Sequence, residues 1–270
     1  MKTWDLIINR VPFKGSLNMA IDEYLFTSLD KRSGTCVRFY GWEKPTASLG
    51  YAQTVAKVLD LDYCLYHGVD VVRRPTGGKL VLHHREVTYS VVSDDIGAFG
   101  ATLSESYRLI SRALMNGLEK MGLEPALARS TPRSYIKSQL PCFSQPARDE
   151  VEIGGKKIVG SAQKRMGSKF LQHGSIPLEE EEALLKSISP RGRDLELRLT
   201  SLSRALGRRV DFDWAVERLV IGMAEFFGIH FRPRSFSAEE TAVILKIQAK
   251  RYEDEAWTLR RNSGAGVDFA

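Results

Sequence analysis

Cysteine is scarce in this chain of 270 residues: Cys36, Cys64 and Cys142 are the full set, with no CxxC pair. That excludes a disulfide framework and a zinc ribbon, and it suits a reducing cytoplasm. Long apolar runs are missing too. No stretch approaches the roughly 20 apolar residues that span a bilayer, and residues 1–9 hold too short an apolar core for a secretory signal. A soluble, cytoplasmic protein with no membrane partner is expected. The five histidines lack the i,i+4 or carboxylate-clustered spacing of a metal site, so no metal is expected. The basic residues have no interleaved aromatics on which bases could stack.

What is present points to a sizeable fold. With 43% hydrophobic residues, the chain can bury the core of one large domain over 1–270. A formal charge of +6 and a pI of about 9.2 favour an anionic partner, either nucleic acid or an acidic carrier protein. The charge thickens at Arg191, Arg193, Arg198, Arg204, Arg208 and Arg209, where Asp194 and Glu196 interrupt it. A solvated helical face explains that run as well as a binding patch does.

Apolar spacing predicts helices over 18–29, 58–67, 104–120, 179–186, 200–206, 212–227 and 238–251. Alternating or β-branched runs predict strands over 36–41, 47–51, 69–73, 79–83, 87–92, 150–153, 156–160 and 170–177. Gly154-Gly155 between two of these is a two-residue hairpin signal. Strands first and helices last give an α+β fold: a mixed sheet with flanking helices over about 18–186, a C-terminal helical extension over about 187–257, and a disordered tail over 258–270.

Two places carry chemistry. Cys36 and Cys64 fall in apolar patterns and read as packed core, but Cys142 lies between Pro141 and Pro146 in a stretch without apolar periodicity. It reads as a loop residue leading into a strand, where reactive groups tend to sit. Fifteen residues on is Lys157, whose ammonium would raise the thiolate fraction of a nearby thiol. A thioester formed on Cys142 would lie close in energy to a thioester donor, so acyl exchange would need no ATP. Strand alternation puts Lys156 and Lys157 on opposite faces, so one of them points inward, at a cost unless a negative charge meets it. The second place is Arg73-Arg74-Pro75-Thr76-Gly77-Gly78-Lys79, a strand end turning on two glycines that let backbone N–H groups approach a ligand. It is not a P-loop: GxxxxGK[ST] is absent, and Leu80 stands where Ser or Thr would be required. A plain hairpin with surface arginines remains an alternative for this segment taken alone.

The Arg73–Gly78 segment followed by Leu82-His83 resembles the RRxTGG…H signature of the lipoate/biotin protein ligase superfamily. Gly155-Lys156-Lys157-Ile158-Val159-Gly160-Ser161-Ala162 is similar to its GxKxxGSA strand. Asn18–Glu23, Ser48–Gln53, Gln172–Ile176 and Tyr252–Trp257 match further motifs in the same order, so the likeness runs over most of the chain. It implies the class II biotin/lipoate ligase-like fold. Pro141-Cys142-Phe143 resembles the cysteine-bearing, ligase-like octanoyltransferases within that superfamily. His84 stands where an acidic residue often follows the histidine.

The resemblance implies that Cys142 is the acyl-thioester nucleophile and that Lys157 lowers its pKa and orients the carbonyl. It implies that Arg73, Arg74, Thr76, Gly77, Gly78 and His83 bind the acyl substrate. The donor would be octanoyl-acyl carrier protein, and the acceptor a lysine of a lipoyl domain or of the glycine-cleavage H protein. No cofactor beyond the donor's phosphopantetheine is implied, neither ATP nor metal. Two rival enzymes use the same frame: an ATP-dependent lipoate-protein ligase, and an amidotransferase between lipoyl-domain proteins. A nucleic-acid-binding protein is the rival from another class, resting on charge alone.

Overall fold

The computed structural model describes residues 2–31, 34–128, 149–190, 192 and 196–259. Cys142 and the expected tail from 260 onward lie outside the described residues, as do Arg191, Arg193 and Asp194. In chain order the elements are β1 (Lys2–Phe13), α1 (Gly15–Ser28), β2 (Thr35–Trp42), β3 (Thr46–Leu49), α2 (Val55–Val58), α3 (Leu61–Tyr66), β4 (Asp70–Arg73), β5 (Val81–His83) and β6 (Glu86–Ser93). Then follow α4 (Ile96–Phe99), α5 (Leu103–Glu119), β7 (Ala126–Leu127), β8 (Val151–Ile153), β9 (Lys156–Lys157), β10 (Gly160–Met166) and β11 (Lys169–Pro177). The chain continues through α6 (Glu182–Ser187), α7 (Leu202–Leu206), α8 (Phe212–Phe227), β12 (Ile229–Pro233), α9 (Ala238–Ile247), a π turn (Gln248–Tyr252) and α10 (Glu255–Leu259).

The large sheet has the order β10-β11-β6-β2-β1-β12, antiparallel from β10 to β2 and parallel from β2 to β12. Side-chain alternation sorts its two faces. Val37, Phe39, Val87, Tyr89, Val91 and Phe170 pack with the apolar stripes of α5 and α8. Cys36, Tyr40, Val92 and Leu171 pack with α1 and the C-terminal helices. The helices over the first face are well specified. Thr102 and Glu105 form a capping box on α5, and Asp211 accepts from Trp214 N at the start of α8. A Cβ on Gly222 would lie 2.2 Å from Gly117 N, so α5 and α8 cross where both carry glycine.

A smaller sheet, β4-β3-β5, stands beside the first with its own core of Ala47, Leu49, Leu80 and Val81 under α2, α3 and α6. A third, β7-β8-β9, holds the Gly154-Gly155 hairpin.

The mixed sheet with flanking helices agrees with the sequence reading, but several details differ. The C-terminal part is not wholly helical: β12 joins the large sheet in parallel with β1. Among the described residues four strands, β1, β7, β10 and β12, have no counterpart of their own in the spacing analysis. The helix expected over 58–67 is shorter, Leu61–Tyr66, because Asp60 caps Tyr63 N while its own N–H goes to Ile188 O, and the separate α2 ends at Val58 before it. The strand expected over 156–160 stops at Lys157 and resumes at Gly160. Helix α10 continues through Leu259, two residues into the stretch read as tail. No helix among the described residues is long and apolar enough to cross a membrane.

Candidate active site

Two rows of side chains on the α1 face of the large sheet form one wall of a pocket. Arg38, Ser90, His173 and Ala162 are cross-strand neighbours on β2, β6, β11 and β10, of which His173 and Ala162 line the pocket, and Tyr40, Thr88, Ser175 and Gly160, all lining it, are the next row. Arg74, Gly78, Val81 and His83 face them from the small sheet and its turn, and the pocket between is also lined by Met19 of α1 and Trp42. Exposure runs from Gly78, Lys79 and Ala162 at the mouth to Met19, Tyr40 and Trp42, all under 5% exposed, at the inner end.

Both walls are braced by buried carboxylates. Asp22 on α1, fully buried, accepts from Arg38 Nη1 at 3.0 Å, Tyr40 Oη at 2.9 Å, Ser90 Oγ at 3.0 Å and His173 Nδ1 at 3.0 Å. Burial alone would push its carboxyl up, but the His173 hydrogen bond and the Arg38 charge outweigh that and hold it below the ordinary value. Burial lowers His173, overcoming the pull of Asp22. A neutral imidazole that donates from Nδ1 must accept at Nε2, where the Thr76 hydroxyl stands at 2.7 Å. Asp22 thereby anchors the Arg73–Gly78 turn through His173 and Thr76.

Glu86 anchors the same turn from the other side. Its carboxylate accepts from His83 Nδ1 at 2.8 Å, Ser175 Oγ at 2.6 Å and Thr88 Oγ1. Burial raises it, and the charge and hydrogen bonds of His83 and the hydroxyls lower it further than that. His83 Nε2 lies 2.6 Å from Ser48 Oγ, which also accepts from Arg74 Nη1 at 2.6 Å. The other nitrogen of Arg74, Nη2, donates to Gly77 O and Lys79 O, closing the turn. Gly78 sits at φ +88°, and a Cβ on Gly50 would lie 2.1 Å from Gly78 O, so both glycines are required.

These bonds give the pocket an apolar character that its residue names hide. Every N–H and O–H on Tyr40, Trp42, His83, Thr88, His173 and Ser175 is already donated within the protein or shared with a neighbouring side chain; Trp42 Nε1 goes to Thr88 Oγ1 at 2.7 Å, and its ring stacks on His83 at 4.0 Å. What these side chains offer a ligand is carbon surface.

The sequence-derived residues fall in three places. Arg74, Gly78 and His83 line the pocket; Thr76 stands behind His173, and Gly77 lies exposed at the turn. Arg73 is placed elsewhere. Its guanidinium is buried and donates to the carbonyls of Gly50, Tyr51, Gln53, Trp257 and Thr258, while Trp257 Nε1 donates back to Arg73 O at 3.1 Å. It staples α10 to the turn. Both arginines are thus interior, not surface, groups.

Lys157 is the inward one of its pair: its side chain is 0% exposed while Lys156 is exposed, and Nζ lies 2.7 Å from Glu150 Oε1. It stands three residues before Gly160 of the pocket wall. Cys36 and Cys64 are buried as expected. Burial, with a contribution from the Asp60 charge, pushes the Cys64 thiol up to about 11, which leaves it inert as a nucleophile. Of the arginines in the 191–209 run, Arg204 pairs with Glu180 and Arg208 lies over the Trp214 ring at 4.2 Å.

The spacing analysis missed Asp22, Arg38, Ser48, Glu86, Glu150 and His173. Asp22, Ser48 and His173 lie in stretches that match family motifs but carried no assigned role, and Arg38 gave a further signal, since it sits amid Cys36, Val37, Phe39 and Tyr40 in a strand read as core, where a charge requires a buried partner.

Comparison with known proteins identifies the family and the fold. The lipoyl protein ligase A/B catalytic domain family model matches residues 14–224. The octanoyltransferase LipM of Kyrpidia tusciae is 39% identical over 278 residues, covering 97% of this chain and 100% of that protein. The octanoyltransferase LipM of Bacillus subtilis is 33% identical over 267 residues, covering 91% and 94%. A lipoate-protein ligase A bound with ATP superposes with a TM-score of 0.80 at 24% identity, covering 96% and 99%. A bipartite lipoate protein ligase from Thermoplasma acidophilum does so at 0.80 and 22%, covering 98% and 100%. The two structural likenesses speak to the fold.

Proposed function

Because the chain belongs to the lipoyl protein ligase A/B catalytic domain family and, within it, to the LipM octanoyltransferases, we propose that it transfers octanoyl groups through a thioester on Cys142. The observation that carries this reading is the pocket, whose inner side chains have their polar groups satisfied within the protein and which lies beside the turn that the resemblance assigns to acyl binding. An eight-carbon chain suits such a space, since each buried methylene contributes about 0.8 kcal/mol.

In the first half-reaction the Cys142 thiolate attacks the carbonyl of octanoyl-acyl carrier protein. The new S–C bond forms, the phosphopantetheine thiolate leaves, and it takes up a proton. In the second, the ε-amine of a lysine on a lipoyl domain or the glycine-cleavage H protein attacks the acyl-enzyme. The amide C–N bond forms, the Cys142 sulfur leaves, and the amine's proton returns the thiol. Lys157 faces the acyl carbonyl and stabilises the oxyanion in both steps. Arg74, Gly78 and His83 shape the acyl site; Thr76, Gly77 and Arg73 hold its turn. The donor is already a thioester, so neither ATP nor a metal ion enters, and the reaction belongs in the reducing cytoplasm.

Intact-protein mass spectrometry after mixing the chain with octanoyl-acyl carrier protein, without ATP, tests this directly. A hydroxylamine-labile octanoyl adduct on wild type and none on Cys142→Ala is the expected result. No adduct, with acyl-adenylate appearing once ATP and free octanoate are supplied, would overturn it in favour of a ligase.

A further inference from the structure

We infer that Met19 sets the length of acyl chain that this enzyme accepts, as the adjustable side chain at the inner end of the pocket. The inference rests on the reading of that pocket as the acyl site. Its ground is a contrast among the residues that stand at the inner end. Tyr40 and Trp42 are locked. The Tyr40 hydroxyl donates to Asp22 Oδ2 at 2.9 Å, and the Arg38 guanidinium lies 3.8 Å from its ring centroid. Trp42 Nε1 donates to Thr88 Oγ1, its ring stacks on His83, and α1 passes so close that a Cβ on Gly15 would lie 3.1 Å from Cζ3. Met19 is different: it lines the same end, but its thioether has no hydrogen to donate and its unbranched side chain turns about every bond. The backbone under it is fixed, because Asn18 before it and Asp22 one turn on are buried and bonded. Asn18 Nδ2 donates to Gly41 O at 3.0 Å and Asn18 Oδ1 accepts from Arg38 Nη2 at 2.7 Å, while Asp22 meets Arg38 at 3.0 Å. What can move at this end is the Met19 side chain.

On that reading the acyl carbonyl stays at the mouth for transfer, so each added methylene drives the methyl end deeper, toward Met19. A longer chain has to push the thioether out of its packing, and crowding of that kind is destabilising. A shorter chain leaves a void beside it. Val81 makes the comparison. It lines the pocket between Lys79 at the mouth and His83 on the Trp42 ring, so it meets the flank of the chain and not its end. Its β-branched side chain is also stiff. A residue on the flank scales the transfer of every chain length together. One at the end changes the ratio between lengths.

The test measures the rate of thioester formation on Cys142 by intact-protein mass spectrometry, with octanoyl- and decanoyl-acyl carrier protein as donors. Wild type, Met19→Ala and Val81→Ala are compared, with thermal unfolding of each. Met19→Ala should raise the decanoyl-to-octanoyl rate ratio about tenfold, the preference carried by two further buried methylenes, whereas Val81→Ala should leave that ratio within about twofold of wild type. An unchanged ratio in folded Met19→Ala would overturn the inference. So would an equal rise in Val81→Ala, which marks a general loosening of the wall. Should Met19→Ala fail to fold, Met19→Val decides by the same ratio: a rise supports the inference, and the wild-type value sinks it. Absence of an adduct on wild type with either donor would instead overturn the reading of Cys142 as the nucleophile, and the inference with it.

Discussion

Asp22 and Glu86 are both buried carboxylates that end on the Arg73–Gly78 turn, yet they are neutralised in different ways. Asp22 touches its cation directly, with Arg38 at 3.0 Å and both side chains 0% exposed. Glu86 meets a guanidinium only at a distance, through His83 and Ser48 to Arg74. The first arrangement is closed: Asp22 and Arg38 lock α1 to the sheet and would do so in any protein built this way. The second is strung along the pocket wall: His83 and two hydroxyls hold Glu86 low, and His83 passes through Ser48 to Arg74, which closes the turn. A direct pair holds a fold together, whereas a relayed pair ties an electrostatic need to the shape of a site.

The contrast can be broken at either end. The largest effect is expected for Arg38→Met, which strands Asp22 without its cation and should cost about 3–5 kcal/mol in urea unfolding. Glu86→Gln removes a charge but keeps an acceptor, so a smaller loss of about 1–3 kcal/mol is expected, together with weaker octanoyl transfer because His83 of the proposed acyl site loses the charge that holds it. An Arg38→Met variant as stable as Glu86→Gln would erase the distinction.

The smallest effect is in pH dependence. Both carboxyls lie below their ordinary values, so their contribution is fully present above about pH 4 and is lost as pH falls through the lower folded values. His173 adds an earlier loss of the same sign. Burial lowers its pKa, so the unfolded chain takes up the proton first as pH falls below about 6.5. In denaturant titrations, His173→Gln should flatten the stability slope between about pH 6.5 and 5 and leave the acid limb below it in place.

Sequence made the well-capped helices legible, because α5 and α8 carry apolar stripes and side-chain caps within their own turns. It hid β1 and β12, whose pairing is parallel and joins residues some 227 positions apart, such as Lys2 and Ile229. Nothing local in Ile229–Pro233, five residues ending in proline, announces a sheet strand. The site divided in the same way. The turn at Gly77-Gly78 was readable from its glycines. The burial of Arg73 was not, since the carbonyls that receive it come from residues 50–53 and from 257–258 at the far end of the chain. Glu150 lay seven residues before Lys157 in plain view, but only the hairpin register brings their charges together.

If the acyl chain enters this pocket as proposed, the saturation of its inner side chains would also act as a chemical filter. With Tyr40, Trp42, His83, Thr88, His173 and Ser175 all donating elsewhere, an oxygen carried along an acyl chain would find none of these donors left to receive it. Leaving it dry would cost about 1–3 kcal/mol, roughly a tenfold to hundredfold penalty. Fatty chains are assembled through oxygenated intermediates of the same length, which a pocket selecting by size alone could not tell apart. Walls with nothing left to give would hold back the unfinished chain and admit the fully reduced one.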